Sequence, residues 1–218
     1  MILKKNLKEN LFFIVPFIIW LIIGAGILAS ISKGDLVLFF NENRMLVANF
    51  YFIIASKFAE YSFIIFFIFI LLNQSFGNAF MAALTWLASG IGAQSLKRLF
   101  DMPRPAAFFG ESNLNKIGNT ELHYAYSFPS GHSTTAFALF FIFGFFVKNK
   151  KWQILFFILA LSTAISRMYL LQHFFIDVYF GSILGVLIAT IVFVSINSSN
   201  IFGFQNWKHK KLGLKRLF

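Results

Sequence analysis

The sequence has no cysteine, which excludes disulfides, thiol catalysis and cysteine-ligated metal sites. Charge is scarce as well. Charged residues make up 12% of the 218 positions, against about 25% in soluble domains. So few charges cannot cover the surface of a water-soluble monomer, and a hydrophobic content of 58% excludes intrinsic disorder. Acids are scarcest of all: 8 Asp and Glu stand against 19 Lys and Arg, a net charge of +11. In a soluble chain that excess points to nucleic acid. In a membrane chain it reflects orientation, because basic residues stay on the cytoplasmic side.

What is present is apolar runs. A membrane-crossing helix needs about 20 mostly apolar residues. Hydropathy places spans at about 11–32, 57–72, 79–100, 131–147, 152–168 and 173–196. The first run is too long for a signal-peptide core of about 7–15 residues and reads as an uncleaved anchor. Asn49, Ser56, Lys57 and Glu60 recur at near-helical spacing, which predicts an interfacial amphipathic helix before the second span. With neither repeat nor linker, residues 1–218 read as one domain with a tail at 197–218. The expected fold is all-α, a bundle of six transmembrane helices.

Six spans put both termini on one side. That side carries eleven of the basic residues, among them Lys4, Lys5, Lys8, Lys148, Lys150, Lys151, Lys215 and Arg216, and a single acid, Glu9. The positive-inside rule makes it the cytoplasm. The charge excess is therefore an orientation signal, and the opposite face is nearly neutral. Basic residues scattered over span ends also argue against a nucleic-acid binder.

Ionisable residues at span ends are costly and mark function. They gather on the outer side: Lys97 closing the third span, Arg104-Pro105 after it, Ser130-Gly131-His132 opening the fourth, Arg167 closing the fifth, and His173 with Asp177 opening the sixth. His173 and Asp177 are i and i+4 on a helix and share a face. A carboxylate beside an imidazole fixes its tautomer and leaves the other nitrogen free to attack. Ser130 and Gly131 at a helix N-terminus offer free N–H groups to an anion. Lys97, Arg104 and Arg167 add positive charge, and arginine suits bidentate phosphate contact. Taken singly, Lys97 or Arg167 could be a snorkelling span-end residue, and His173 with Asp177 a weak helical pair. Their convergence on one face points instead to a phosphate dianion site, with one histidine as nucleophile and the other as proton donor.

These residues, Lys97, Arg104-Pro105, Pro129-Ser130-Gly131-His132, Ser166-Arg167, His173 and Asp177, resemble the three-part signature of the type 2 phosphatidic acid phosphatase superfamily. The resemblance implies a bacterial, membrane-bound lipid phosphate phosphatase of the inner membrane, its site facing the periplasm or cell exterior. It implies a phosphohistidine on His173 supported by Asp177, with His132 protonating the leaving group. Lys97, Arg104, Ser130, Gly131 and Arg167 would hold the phosphoryl oxygens. No metal, no cofactor and no obligate protein partner is implied. The implied partners are the bilayer and a lipid phosphate: undecaprenyl pyrophosphate, or a glycerophospholipid phosphate such as phosphatidylglycerol phosphate, with lipid A phosphate as an alternative. A non-catalytic lipid-phosphate binder or transporter on the same scaffold is the competing class.

Overall fold

The computed structural model describes residues 8–118, 120–147, 149–198 and 204–212. Lys4, Lys5, Lys148, Lys215 and Arg216 lie outside the described residues. The described chain forms α1 (Leu11–Ser30), α2 (Asp35–Glu42), α3 (Leu46–Lys57), α4 (Tyr61–Gln74) and α5 (Phe76–Phe100). There follow α6 (Pro105–Phe109), α7 (Gly131–Gly144), α8 (Lys150–Tyr169), α9 (Phe175–Ser198) and α10 (Phe204–Trp207). No strand occurs among the described residues.

Four segments are long and apolar enough to cross a membrane: α1, α5 together with α6 (Phe76–Phe109), α8 and α9. The pair α3 and α4 qualifies jointly, as one span broken by a 56° bend. The chain is an all-helical integral membrane protein. The remaining apolar helix, α7, has 14 residues. At 1.5 Å per residue it is ~21 Å long, short of a hydrocarbon core of ~30 Å.

Two segments depart from the sequence expectation. The polar connection at 33–44 contains a helix, α2. Its first turn is fastened by Asp35, whose Oδ2 accepts from the Ser32 N–H at 3.0 Å, and it buries Val37 and Asn41. Helix α3, expected to lie at the interface with its polar residues turned outward, instead exposes Leu46, Val47 and Phe50. Asn49 faces protein, accepting a 2.6 Å hydrogen bond from Tyr169, and Ser56 bonds back to the Ile53 carbonyl at 2.8 Å. Asn49 and Ser56 thus turn inward, while Lys57 is exposed and Glu60 partly so.

Helix α7 is the axis of the fold. Every residue from Ser133 to Gly144 is buried. Phe13 and Phe157 from flanking helices meet Phe137 and Phe141 edge-on, the arrangement the ring quadrupole favours. Helix α9 approaches closely because Gly181 and Gly185 face α7. A Cβ on Gly185 would stand 2.3 Å from the Thr134 carbonyl oxygen, and one on Gly181 2.8 Å from that of Ser130. Such small residues four apart let membrane helices touch backbone to backbone.

The C-terminal end of α7 is closed by side chains: Asn10 Nδ2 donates to the Phe141 carbonyl at 2.9 Å and Gln153 Nε2 to that of Gly144 at 3.0 Å. Nearby, the 208–212 segment lies along the α4–α5 turn, its Lys208 and Lys210 carbonyls accepting from the Gly77 and Phe76 N–H groups. Both described ends of the chain thus lie at the same end of the bundle.

Candidate active site

At the opposite end, the structure brings the eight residues singled out in the sequence into one cluster, with Lys97, Ser130, Arg167, His173 and Asp177 buried and Arg104, Gly131 and His132 partly so. Helix α5 ends at Asp101, whose left-handed backbone (φ 39°) turns the chain sharply. The following 102–104 segment then pairs with 124–127: the Arg104 N–H donates to the Tyr124 carbonyl at 2.9 Å and the Ser127 N–H to that of Met102 at 2.9 Å. Lys97, in the last turn of α5, closes this ledge by donating to the Tyr126 carbonyl and, at 3.4 Å, to that of Ser127.

Arg104 is held on three sides. Its Nε donates to the Ala125 carbonyl at 2.9 Å, and its Nη1 to Gln172 Oε1 at 3.1 Å and to the Gln172 carbonyl at 3.3 Å. Gln172 is itself fixed by a 2.8 Å bond from Nε2 to the Glu121 carbonyl. Arg167 ends α8, buried, and its carbonyl accepts from the N–H groups of Gln172 and His173. Its Nε is buried without a hydrogen-bond partner. A guanidinium N–H left unpaired in a buried site is costly unless an incoming acceptor takes it.

Ser130 caps α7, its Oγ accepting from Ser133 at both the N–H and the hydroxyl. The N–H groups of Gly131 and His132, in the first turn, have no intrahelical acceptor. The Ser130 N–H reaches across to the Asp177 carbonyl at 3.0 Å, locking the start of α7 to that of α9.

His173 is 2% exposed, and its Nδ1 faces Asp177 Oδ2 at 3.4 Å without forming a hydrogen bond. That oxygen already accepts from Ser127 Oγ at 2.5 Å and from the Phe174 N–H at 2.9 Å. Nδ1 is the ring nitrogen turned to the carboxylate, and the imidazole is also hydrogen-bonded to the Ser127 backbone. Arg104, Lys97 and Arg167 act electrostatically on both His173 and His132. His123, on the loop over this cluster, is held below its ordinary pKa by burial and then by Arg104.

Two cavities flank the cluster. One, of about 230 Å³, is bordered by Lys97, Gly131 and His132 and by Trp86 and Gln94 of α5. The other, of about 220 Å³, is bordered by Arg167, Gln172, His123 and Thr120. Glu60, at the break between α3 and α4, lines both. Ser127 and Gln172 escape the sequence reading, and Glu60 enters it only as part of a polar stripe. Ser127 and Gln172 are ordinary loop residues whose only signal is adjacency, three before Ser130 and one before His173.

The arrangement is a cluster of three cations, a helix N-terminus, and a histidine facing a carboxylate at one end of a bundle of apolar helices. Residues 78–201 match the PAP2 superfamily. The chain belongs to the PAP2 superfamily. A stretch of 81 residues is 38% identical to the bacitracin transport permease protein BcrC of Bacillus licheniformis, covering 37% of this chain but only 38% of that protein. LpxE of Aquifex aeolicus superposes with a TM-score of 0.67 at 20% identity, over 75% of this chain and 96% of that one. The PAP2 type phosphatidylglycerolphosphate phosphatase of Bacillus subtilis does so with a TM-score of 0.59 at 23% identity, over 91% and 98%. At these identities the two structures are alike in fold.

Proposed function

We propose that this chain hydrolyses a phosphate monoester or pyrophosphate on a membrane lipid, through a phosphohistidine on His173. The observation that carries the reading is His173 itself, with Nδ1 against Asp177 and three cations around it. In this reading Nε2 of His173 attacks phosphorus, the bond from phosphorus to the lipid oxygen breaks, and His132 gives that oxygen its proton. His132 then takes a proton from water, the water oxygen attacks phosphorus, the P–N bond breaks, and inorganic phosphate leaves with His173 neutral again. Lys97, Arg104, Ser130, Gly131 and Arg167 hold the phosphoryl oxygens throughout, so catalysis is positioning and charge neutralisation.

No metal or cofactor enters this scheme. The single carboxylate of the cluster, Asp177, already has Oδ2 occupied by Ser127 and Phe174. The site end of the bundle would face the periplasm or cell exterior from the inner membrane, as the basic excess at the other end supports. Six spans, with α7 the shortest, and cytoplasmic termini belong to the same reading. Undecaprenyl pyrophosphate and glycerophospholipid phosphates such as phosphatidylglycerol phosphate are the leading substrates, with lipid A phosphate an alternative. No nucleic acid or obligate protein partner is involved.

The name of the Bacillus licheniformis relative speaks of transport, which is the competing class. A histidine backed by a carboxylate also serves proton relays in transporters, so turnover is what separates the two classes. Phosphate release from a panel of lipid phosphates by the purified protein, with and without chelator, separates the two. Release that resists chelation and vanishes in His173→Ala supports the hydrolase. Binding without release supports the transporter.

A further inference from the structure

Glu60 belongs neither to the family signature nor to the hydrogen-bond network of the cluster. It is the residue at which the α3–α4 span breaks. Its side chain does not cap α4, is only partly buried, and makes no ion pair among the described residues. It attracts Arg167 across the intervening space. Among the residues lining the cavity that holds His132 and Gly131, it is the one carboxylate. The one cation there, Lys97, spends its ammonium on the Tyr126 and Ser127 carbonyls. The cavity beside His132 therefore sets one carboxylate against one ammonium, whereas the phosphate cluster next to it is cationic.

That asymmetry bears on the leaving group. Displacement at phosphorus is in line, so attack from His173 sends the departing oxygen to the opposite side, where the proton donor His132 must stand. The cavity shared by His132 and Glu60 then receives what departs. From a lipid phosphomonoester it receives an alcohol, neutral once His132 has protonated it. From a lipid diphosphate it receives a lipid phosphate, whose negative charge the Glu60 carboxylate repels, offsetting the attraction of Lys97 and Arg167. We propose that Glu60 is a specificity residue, which makes this chain a lipid phosphomonoesterase that discriminates against diphosphates. The proposal rests on the hydrolase reading above and sharpens its substrate class.

The test is a pair of substrates with one tail: farnesyl phosphate and farnesyl diphosphate, in mixed micelles with the full chain. The wild type should favour the monophosphate in kcat/KM by about tenfold, and Glu60→Gln should erase most of that ratio while leaving monophosphate turnover within about threefold. A purely structural role for Glu60 would lower both substrates together and leave the ratio alone. A wild-type preference for the diphosphate, or an unchanged ratio in Glu60→Gln, overturns the proposal. If the variant does not fold, inhibition or binding of the wild type by farnesyl phosphonate and by the corresponding methylenediphosphonate decides. The monophosphonate should bind more tightly, and the reverse order overturns the proposal. If the wild type releases phosphate from neither lipid, the hydrolase reading falls, and binding of the two phosphonates still judges Glu60 separately.

Discussion

Ser127 and Asp177 are joined across fifty residues by a hydrogen bond from the serine hydroxyl to Oδ2, the same carboxylate oxygen that Nδ1 of His173 faces. The oxygen expected to orient the nucleophile is thus itself oriented by a loop residue. A hydrogen bond to a charged group contributes about 1.5–3 kcal/mol, and about 1.4 kcal/mol is tenfold in rate. Ser127→Ala should therefore lower kcat about tenfold or more with little change in KM, since Ser127 is not among the proposed phosphate ligands. Steady-state kinetics with Asp177→Asn alongside checks this. An unchanged kcat in Ser127→Ala would show that the carboxylate needs no such support.

Gln172 supplies both its side-chain and main-chain oxygens to one arm of Arg104. Gln172→Ala should loosen the guanidinium and raise KM several-fold, while Gln172→Glu should do more harm by offering Arg104 a rival anion. Arg104→Lys should also be costly, because a planar fork becomes a point charge. Inhibition by inorganic phosphate or vanadate reads the same site without turnover: both Gln172 variants should bind the anion more weakly than the wild type.

The polar residues of the candidate site were legible because each interrupts an apolar run. Lys97, Arg167, His173 and Asp177 each have a bland reading alone, and their convergence on one face is what marks them. Their supports were not legible. Ser127 and Gln172 sit in a polar loop where any side chain is permitted, and only the meeting of 102–104 with 124–127 gives them work. Glu60 reads in the sequence as part of the polar stripe of an interfacial helix, because spacing alone cannot tell headgroup from cavity. The long helices followed from hydropathy to within a few residues. Helix α2 did not, since it is held by the Asp35 bond to the Ser32 N–H and by Asn41, whose Oδ1 accepts from the distant Asn115 N–H.

Gly181 and Gly185 carry a signal that sequence alone contains, two glycines four apart on one helix face. A methyl group at Gly185 must displace the Thr134 carbonyl and the Ala138 N–H, 2.3 and 3.0 Å from where it would lie. Overpacking of this kind costs about 1–3 kcal/mol. Gly185→Ala should lower the midpoint of thermal unfolding in detergent and, by prising α9 from α7, separate Asp177 from Ser130 and reduce activity. Gly26→Ala, where nothing lies within 4 Å, is the control and should do neither.

Glu111 accepts hydrogen bonds from Tyr124 and from Lys116, which hold its carboxyl below the ordinary glutamate value, Tyr124 contributing most. A carboxyl depressed in the folded state adds stability that is present above its unfolded pKa and is lost as pH falls through the folded one. The 111–124 loop should therefore loosen under acid, seen as faster limited proteolysis, and Glu111→Gln should show that loosening already at neutral pH. An identical proteolysis profile in the variant would remove this tie from the loop's support.

Helix α7 has its residues from Ser133 to Gly144 sealed inside the bundle, where no lipid chain can reach them. Bilayer thickness therefore acts only on its neighbours. A thinner or thicker membrane changes the tilt of α1, α8 and α9 to match the hydrocarbon depth, while the axis that carries Ser130 and His132 feels the change only through helix contacts. Activity should then respond to acyl-chain length gradually rather than abruptly. The substrate's headgroup has to travel to the depth of the α7 N-terminus, whatever membrane surrounds it.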